Sequence, residues 1–362
     1  MKDKLVCFHL YNDFSGSPKV LRDILEGLSG KGCQIDIVSS RGGVLDTLDH
    51  PSISHRSYSY RFSANPAVTM LRYAKTQALT FAMALRYAMS GKPTFYINTI
   101  LPLGPALAGK LTGRKVIYHY HENAFAKGLF YRFLARCMQM LADRIICVSA
   151  YQASFLSRKS GVEVVPNSLS DSFVSRLRPD IPGAFLRKKV LMLSSLKEYK
   201  GTARFISIAS RLPGFSFELV INDDMENIDS WIASRALPLP DNLVILPRTD
   251  DVASRYNTAS LVLNLSDPRL FIETFGLTAL EAMSCGLPVI VPEVGGIAEM
   301  VTDGFNGYRI DCSKEDEIAA AITRIFSDRN LYHTLAANAL AFSKGFDIKT
   351  TVEKIKAIID QD

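Results

Sequence analysis

Two glutamates eight positions apart, Glu273 and Glu281, mark the stretch of this sequence best suited to bind a ligand that carries both hydroxyls and phosphates. Glu281 lies inside an apolar helical pattern, where an unpaired carboxylate would cost several kcal/mol to bury. Sugar or ribose hydroxyls would supply the hydrogen-bond partners that both carboxylates need. Gly276 stands where the helix is expected to begin, and the free amides and positive dipole end there suit phosphate groups.

A predicted strand ends in two histidines, His119 and His121, followed by Glu122. Because alternate residues of a strand point to one face, both imidazoles should face the same side. Such a pair could bind a metal, act as a general acid or base, hydrogen-bond a sugar, or have a purely structural role. Zinc usually takes four ligands, and no further cysteines or histidines cluster near this pair in the sequence, which argues against a metal site.

The loop after the predicted strand 190–193 contains Lys200, which is well placed to act as a point charge on a diphosphate. The corresponding loop of the first half has a single glycine, Gly16, instead of the Gly-x-Gly-x-x-Gly pattern of dinucleotide-binding enzymes. This difference argues against a nicotinamide cofactor. The acidic segment 222–229 lacks the Asp-x-Asp spacing of metal-dependent sugar transferases and is interpreted as a solvated loop.

Short β-branched runs alternate with helical patterns along the whole chain, which predicts an α/β fold with parallel sheets and crossover helices. The predicted strands are 5–10, 34–39, 94–97, 115–120, 144–148 and 163–165 in the first half and 190–193, 217–221, 243–246, 261–265 and 289–291 in the second. In open parallel sheets, ligands bind beyond the carboxyl ends of the strands. The functional residues should therefore lie in the loops that follow these runs.

A chain of 362 residues that is 48% hydrophobic can form two domains, each with its own core. Pro166, Pro179, Pro182 and Gly183 interrupt the pattern near the middle and indicate a hinge. The predicted organisation is an N-terminal domain over 1–167, a linker over 168–185 and a second domain over 186–345. The remainder, 346–362, should form a helix that could cross back to the N-terminal domain.

The net charge of +6 combines +11 over residues 1–180 with −5 over residues 181–362. Fifteen Lys or Arg lie between residues 51 and 160, opposed only by Glu122 and Asp143. Such a basic half could attract phosphates, nucleic acid or an anionic membrane, or could form a solvated face.

Six widely spaced cysteines without a Cys-x-x-Cys pair are typical of a reduced, cytoplasmic protein. No signal peptide or spanning segment is predicted.

An amphipathic stretch over 67–89 concentrates part of this positive charge. Arg72, Lys75 and Arg86 lie among apolar residues, which are Met70, Leu71, Leu79, Phe81 and Leu85. The helix could lie on an anionic bilayer at the inner face of the membrane, or its apolar face could pack on the N-terminal sheet.

Three motifs together resemble those of the retaining glycosyltransferases of family 4. They are the segment from Glu273 to Val289, the segment 294–307 with its Gly-Gly pair, and the segment 148–167. The resemblance implies the GT-B fold, with two Rossmann-like domains whose parallel sheets face each other across a central cleft. The domain over 1–167 would bind the acceptor, and the domain over 186–345 would bind the nucleotide-sugar. It also implies transfer of a hexose from a nucleotide-sugar, UDP- or GDP-linked, to a saccharide or lipid-linked saccharide in cell-surface polysaccharide synthesis.

The resemblance implies catalytic roles for His121, Glu273 and Lys200. His121 would face the donor sugar near its anomeric carbon, Glu273 would bind that sugar, and Lys200 would neutralise the diphosphate. Glu281 would bind the ribose hydroxyls. The implied donor-binding residues are Gly16, Ser195, Lys200, Arg248, Thr249, Glu273, Thr274, Phe275, Gly276, Leu277 and Glu281. The acceptor or membrane side would use Arg72, Lys75, Arg86 and Glu122. No metal, cofactor or nucleic acid is implied.

The family pattern Gly-Arg-Leu reads Ser194-Ser195-Leu196 here, so serine replaces the usual phosphate-binding arginine. Lys197 or Arg248 could take over its charge. Two alternatives remain open. One is a nucleotide-sugar epimerase or hydrolase on the same fold, and the other, which the missing arginine makes conceivable, is a non-catalytic nucleotide-sugar-binding partner of another transferase.

Overall fold

Short β-branched runs form the strands of two all-parallel sheets in the computed structural model, which describes residues 4–361. The strands of the first sheet are β1 (Lys4–His9), β2 (Gln34–Ser40), β3 (Ile53–Tyr58), β4 (Thr94–Asn98), β5 (Val116–Tyr120), β6 (Arg144–Cys147) and β7 (Val162–Val164). Those of the second sheet are β8 (Lys189–Ser194), β9 (Ser216–Ile221), β10 (Leu243–Leu246), β11 (Leu261–Leu263), β12 (Val289–Val291) and β13 (Gly307–Arg309).

Helices connect most successive strands, as parallel pairing requires, whereas short 3₁₀ turns at Val44–Thr47 and Gly296–Met300 lead from β2 to β3 and from β12 to β13. The first are α1 (Gly16–Gly30), α2 (Pro66–Ser90), α3 (Leu103–Leu111), α4 (Leu129–Leu141), α5 (Ala150–Ser154), α6 (Asp171–Val174) and α7 (Ile181–Arg187). They are followed by α8 (Thr202–Arg211), α9 (Met225–Ser234), α10 (Val252–Thr258), α11 (Leu277–Ser284), α12 (Glu315–Ser327), α13 (Arg329–Ser343) and α14 (Ile348–Asp360). Among these described residues, no helix combines the length and apolarity needed to cross a bilayer.

The chain divides into two units, each built on one sheet. Unit 1 comprises the residues up to Ser168 together with those from Asp347 on, and unit 2 comprises Leu169–Phe346. The strand order is β3-β2-β1-β4-β5-β6-β7 in unit 1 and β10-β9-β8-β11-β12-β13 in unit 2. In both sheets the order reverses beside the first strand, the arrangement of a Rossmann-like sheet. The predicted α/β class with two Rossmann-like sheets is confirmed.

Two strands escape the sequence prediction for different physical reasons. β3 is an edge strand whose four central residues are exposed, so it lacks the apolar run of a buried parallel strand. β13 is only three residues long and begins with Gly307. A side chain at Gly307 could not be accommodated, because its Cβ would lie 2.2 Å from the carbonyl oxygen of Val289 on the neighbouring strand.

The proline-rich middle of the chain is helical where the sequence indicates a break. α7 begins at Ile181, and Pro182 and Gly183 lie in its first turn. Proline is tolerated there because the first amides of a helix have no intrahelical partner. The Asp180 side chain caps the helix by accepting a hydrogen bond from the Gly183 amide at 3.1 Å.

The long helix α2 buries small and hydroxyl-bearing side chains rather than its large apolar ones. Its buried residues are Tyr73, Thr76, Thr80, Ala84 and Ala88. Met70, Leu71 and Leu79 are exposed, whereas Phe81 and Leu85 are half-buried and pack against the core of unit 1, so only part of the apolar set faces the interior. The reason is close helix contact, since a Cβ at Gly104 of α3 would lie 2.2 Å from the Gln77 carbonyl oxygen. The Arg72 guanidinium donates to the carbonyls of Arg61 and Phe62.

Candidate active site

The carboxyl edge of the unit 2 sheet brings residues from two neighbouring strands together at the point where the strand order reverses. Lys200 lies in the loop after β8, and Ser266 and Glu273 lie in the loop after β11, the strand paired with β8. Loops at this position of an open parallel sheet form its ligand crevice.

Glu273 accepts two hydrogen bonds on one carboxylate oxygen. Lys200 Nζ lies 2.5 Å and Ser266 Oγ 2.8 Å from Glu273 Oε1. Burial lowers the pKa of Lys200, but the attraction and hydrogen bond of Glu273 outweigh it and hold the pKa above its usual range. The lysine is therefore a fixed positive charge at neutral pH.

Two aromatic rings hold this lysine from another side. Tyr199 and Phe271 stack with their centroids 4.5 Å apart, and Lys200 Nζ lies 5.7 Å from each centroid. The amide of Asp267 donates to the Tyr199 carbonyl at 2.7 Å, which ties the two loops together. Cation–π contact and the loop tie together restrict the position of the ammonium group.

Glycines let the loop that carries Glu273 approach its neighbours closely. Gly295 has φ +116°, and a Cβ there would lie 2.5 Å from the Glu273 carbonyl oxygen, which accepts a hydrogen bond from the Gly296 amide at 2.8 Å. Gly276 has φ +101°, and its Cβ would lie 2.5 Å from Cγ1 of Ile297. Gly276 also precedes α11 without a capping side chain, which leaves the helix N-terminus suited to an anion.

Glu281 in α11 receives a hydrogen bond that the sequence analysis missed. The hydroxyl of the fully buried Tyr256 on α10 donates to Glu281 Oε2 at 2.6 Å. Burial first and the neighbouring carboxylate second raise the pKa of Tyr256, so the phenol stays protonated and acts as the donor. Tyr256 thereby orients a carboxylate that is itself half-buried.

The other predicted donor-side residues in unit 2 have different surroundings. Thr274 and Leu277 are half-buried beside Gly276, whereas the Phe275 ring is buried. Ser195 accepts a hydrogen bond from Thr202 Oγ1 on its backbone carbonyl at 3.1 Å. Arg248 and Thr249 follow β10, two strands away from β8, and Arg248 Nη2 lies 4.0 Å from Asp224 Oδ1.

The carboxyl edge of the unit 1 sheet carries a buried polar chain at its own reversal point, between β1 and β4. His9 ends β1, Asn98 ends β4 and His121 follows β5. His9 and Asn98 were missed by sequence reasoning, although Asn98 directly follows the predicted strand 94–97 and His9 is the last but one residue of the predicted strand 5–10. Gly16 begins α1 in the loop after β1.

Hydrogen-bond partners determine which nitrogen of His121 carries its proton. The Tyr11 carbonyl can only accept, so His9 Nε2, 2.9 Å away, must donate. Burial lowers the pKa of His9 to about 4, and the Nδ1 of a neutral ring must accept. Asn98 Nδ2 donates to it at 3.1 Å and thus presents Oδ1 to His121 Nε2, 3.0 Å away. His121 therefore carries its proton on Nε2, and Nδ1 is its acceptor nitrogen.

His119 and His121 do lie together, as the strand alternation predicts, with ring centroids 4.1 Å apart. Burial lowers the pKa of His119 to about 3 and also lowers that of His121. His119 Nδ1 lies 2.8 Å from the Tyr96 hydroxyl. Both rings are neutral at pH 7, which suits them to hydrogen bonding rather than to proton donation as imidazolium. Across residues 4–361 no three His, Cys, Asp or Glu side chains are grouped to hold a metal ion.

Glu122 turns its carboxylate toward the chain after β4 rather than toward the surface. Its Oε2 accepts a hydrogen bond from the Ile100 amide at 3.3 Å. Burial raises its pKa, and Lys127 partly opposes this shift. The adjacent Thr99 has φ +69°, a strained conformation for a β-branched residue that persists only where its surroundings enforce it. Glu122 thus helps to hold the strained turn that positions Asn98.

Replacement of Asn98 tests the assignment of the His121 proton. In Asn98→Leu the acceptor for Nε2–H is lost, so we expect both tautomers of His121, whereas Asn98→Asp keeps an acceptor and should keep the single tautomer. Nitrogen-15 NMR of histidine-labelled protein distinguishes protonated from unprotonated ring nitrogens. His50, whose Nδ1 accepts from the Ser52 amide at 3.2 Å, serves as an internal control. An unchanged His121 spectrum in Asn98→Leu would contradict the assignment.

Two family models match the chain, one in each half. "Glycosyltransferase Family 4" matches residues 14–172, and "Glycosyl transferases group 1" matches residues 184–342.

Curated relatives resemble parts of the chain at moderate identity. An uncharacterized glycosyltransferase of Methanocaldococcus jannaschii is 26% identical over 225 residues, 61% of this chain and 60% of the relative. A D-inositol 3-phosphate glycosyltransferase of Actinosynnema mirum is 29% identical over 209 residues, 55% of this chain and 45% of the relative. The chain thus spans only 45% to 60% of the length of these relatives.

Solved structures match nearly the whole chain in fold. Sucrose-phosphate synthase from Thermosynechococcus elongatus superposes with a TM-score of 0.80 at 18% identity, over 99% of this chain and 98% of that one. HepE from Anabaena, solved in complex with UDP and glucose, superposes with a TM-score of 0.77 at 21% identity, over 99% of this chain and 100% of that one.

Proposed function

Because this chain belongs to the glycosyltransferases with the GT-B fold, we propose that it transfers a hexose from a nucleotide-sugar to a saccharide acceptor and retains the anomeric configuration. The observation that carries the proposal is the Lys200–Glu273–Ser266 cluster beside the N-terminus of α11. A fixed cation and a helix N-terminus can stabilise a leaving diphosphate without a metal ion. The resemblance to family 4 seen in the sequence is confirmed.

The proposed reaction breaks the bond between the anomeric carbon and the diphosphate oxygen, which leaves with the electron pair. The acceptor oxygen bonds to the same face of that carbon, and its proton passes to a phosphate oxygen. Lys200 would neutralise the charge that develops on the diphosphate, Glu273 would bind the donor sugar, and Glu281 the ribose hydroxyls. His121, with its acceptor Nδ1, would receive a hydrogen bond from a hydroxyl of the sugar.

Thermal stability in the presence of nucleotide-sugars tests the donor site. We expect one base series, with UDP and GDP as the leading candidates, to raise the melting temperature without added metal. A ligand at about 100 times its Kd stabilises by about 2.7 kcal/mol. Glucose and the free nucleosides serve as controls and should shift the transition little. If no UDP-, GDP-, ADP- or dTDP-sugar raises the melting temperature, the donor site proposed here does not exist.

Product analysis separates a transferase from the other enzymes that this fold could support. A transferase releases the nucleoside diphosphate in step with a glycosylated acceptor. A free sugar or an isomerised nucleotide-sugar formed without acceptor would instead indicate a hydrolase or an epimerase.

The acceptor would be a saccharide or lipid-linked saccharide used in cell-surface polysaccharide synthesis. The Actinosynnema mirum relative is named for D-inositol 3-phosphate, and a phosphorylated polyol would also suit the basic first half of this chain.

The proposed location is cytoplasmic, with peripheral contact to an anionic membrane through α2 and α4. Leu71 and Leu129 are 72% and 82% exposed. The helices contact each other through the Tyr73 and Phe130 rings, whose centroids are 5.4 Å apart. Neither helix contains Asp or Glu, and their exposed basic residues are Arg72, Lys75, Arg86, Arg132 and Arg136. Exposed leucines among unopposed positive charges favour an anionic bilayer surface.

Vesicle co-sedimentation tests this contact. The double substitution Leu71→Ser and Leu129→Ser should weaken binding to phosphatidylglycerol vesicles about tenfold, because two apolar side chains no longer enter the interface. Leu239→Ser, which removes a leucine of unit 2 that is 51% exposed, is the matched control. Phosphatidylcholine vesicles should bind the protein weakly. Equal binding by the double variant and the control would exclude α2 and α4 as the contact.

A further inference from the structure

A cavity of about 340 Å³ lies at the carboxyl ends of β2 and β3. It is lined by Arg41, Ser57, Tyr58, Ser59, Tyr60 and Arg61. We propose that it is a subsite for an anionic saccharide, a sugar that carries a carboxylate or a phosphate. The proposal rests on the transferase function and names the class of acceptor that it would use.

The cavity belongs to the same sheet edge as His121. β2 and β3 pair in register, with Ser40 opposite Tyr58, so the loops that follow them start side by side. The Tyr58 hydroxyl lies 2.9 Å from the carbonyl oxygens of both His9 and Leu10. The end of β3 is thereby joined to the end of β1, where the hydrogen-bond chain to His121 begins.

Three aromatic rings form one corner beside the cavity. The Phe62 ring centroid lies 4.9 Å from that of Tyr11 and 5.4 Å from that of Tyr60, in edge-to-face geometry. Phe62 nevertheless remains 56% exposed. A rigid aromatic surface of this kind can pack against the apolar face of a sugar ring, while hydroxyl groups remain available for polar contacts.

The charges of the subsite come from two arginines, Arg41 and Arg61, and hydrogen bonds hold the backbone at Arg61. The Arg72 guanidinium donates to the Arg61 and Phe62 carbonyls at 3.0 and 3.1 Å. Within the described residues, neither Arg41 nor Arg61 takes part in an ion pair. The nearby Asp46 accepts hydrogen bonds from the Gly42 amide and the Asn12 side chain instead.

The surrounding sequence reinforces the preference for an anion. No Asp or Glu occurs between residues 50 and 121, which includes the lining of the cavity after β3. A guanidinium presents a planar fork of donors that matches a carboxylate or a phosphate. Two such groups beside an aromatic corner fit a charged sugar better than a neutral one.

A larger basic cavity of about 800 Å³ at the opposite edge of this sheet does not support the same conclusion. Lys115 there donates to the Ile358 and Ile359 carbonyls at the end of α14, at 2.9 and 3.0 Å. Arg158 donates to the Gln139 and Ala142 carbonyls at the end of α4. Lys115 and Arg158 donate hydrogen bonds to carbonyls at helix C-termini, so these two side chains have a structural role and do not indicate a ligand site.

Isothermal titration with small probes tests the anionic subsite. The probes are D-glucuronate, D-glucose 6-phosphate, D-glucose and inorganic phosphate. Both charged sugars should bind at least about tenfold more tightly than glucose, and Arg41→Gln or Arg61→Gln should weaken them about tenfold. Phe62→Ser should weaken both sugars but not inorganic phosphate. Lys92→Gln, which removes one positive charge at the opposite edge of the sheet, should change nothing.

Three results would overturn the proposal: equal affinity for glucose and glucuronate, unchanged affinity for charged sugars in Arg61→Gln, or binding of inorganic phosphate as tight as that of glucose 6-phosphate. The two charged probes also show whether a carboxylate or a phosphate is preferred. The rise in melting temperature with nucleotide-sugars, measured on the same variants, distinguishes failure of the anionic subsite from failure of the transferase function. A retained shift with lost probe binding supports the subsite, whereas probe binding without any shift would contradict only the transferase function.

Discussion

Replacement of Lys200 by methionine is expected to lower kcat for sugar transfer by about a hundred- to a thousand-fold, the usual effect of removing one charge-stabilising group from a catalytic site. The ammonium group is held 2.5 Å from Glu273 Oε1 and 5.7 Å from each of two aromatic rings. Its position is thus set before substrate binds. As the glycosidic bond breaks, negative charge grows on the diphosphate, and a cation fixed at that place lowers the barrier. Initial rates at saturating donor measure the effect.

Lys197→Met is the matched control for this substitution. Lys197 is exposed, lies in the same loop and is 5.9 Å from the Tyr199 ring, but the lysine that pairs with Glu273 is Lys200. It should keep kcat within about threefold of the wild type, as expected for a surface substitution, and that result would also exclude Lys197 as the replacement for the phosphate-binding arginine. Equal losses in the two variants would mean that the total positive charge of the loop matters. A Lys200→Met enzyme with normal kcat would remove Lys200 from the proposed mechanism.

Glu281→Ala is expected to raise the Kd for the nucleotide-sugar about 10- to 100-fold. Hydrogen bonds to a charged group contribute about 1.5–3 kcal/mol, and each 1.4 kcal/mol is about tenfold in affinity. Because the ribose is remote from the breaking bond, kcat at saturating donor should fall much less than affinity. Titration calorimetry gives the Kd, and initial rates give kcat.

Tyr256→Phe provides a graded version of the same test. It removes only the hydroxyl that lies 2.6 Å from Glu281 Oε2, so the carboxylate remains but is less well oriented. We expect a loss of affinity of about 3- to 10-fold, the range of a single hydrogen bond. Glu226→Ala, which removes an exposed carboxylate of α9, is the control. If Tyr256→Phe weakens binding more than Glu281→Ala, Tyr256 acts through the protein core and not through Glu281.

The parts of the site that the sequence could predict are those encoded by local spacing. The Glu273–Glu281 motif, the glycine at 276 and a lysine after a strand all identify the carboxyl edge of a parallel sheet. The contacts among them depend on strand order, which a single sequence does not reveal. The ion pair of Lys200 with Glu273 joins residues on loops after β8 and β11, strands that pair only once the sheet is assembled.

Residues that act through others were harder to find. Tyr256 lies on α10, and the local sequence pattern of that helix predicts only that one face is buried. Its hydroxyl donates to Glu281 of α11 because the two helices lie close together in the folded unit. Ser266 directly follows the predicted strand 261–265, so the strand-end rule could have identified it. On α2 the sequence left open whether the apolar residues face a bilayer or the sheet, because the pattern does not show how closely α3 approaches. Close helix contact selected Thr76, Ala84 and other small residues for the interior.

The return of the chain to unit 1 at Asp347 sets a constraint on any exchange of modules between such proteins. α14 buries Val352, Ile355, Ile358 and Ile359, and Lys115 of unit 1 donates to carbonyls at its end. A cut at the single position 168 would therefore strip unit 1 of a piece of its own core. A chimera that keeps unit 1 but imports a foreign unit 2 has to be spliced twice, so that residues 347–361 travel with residues 4–168.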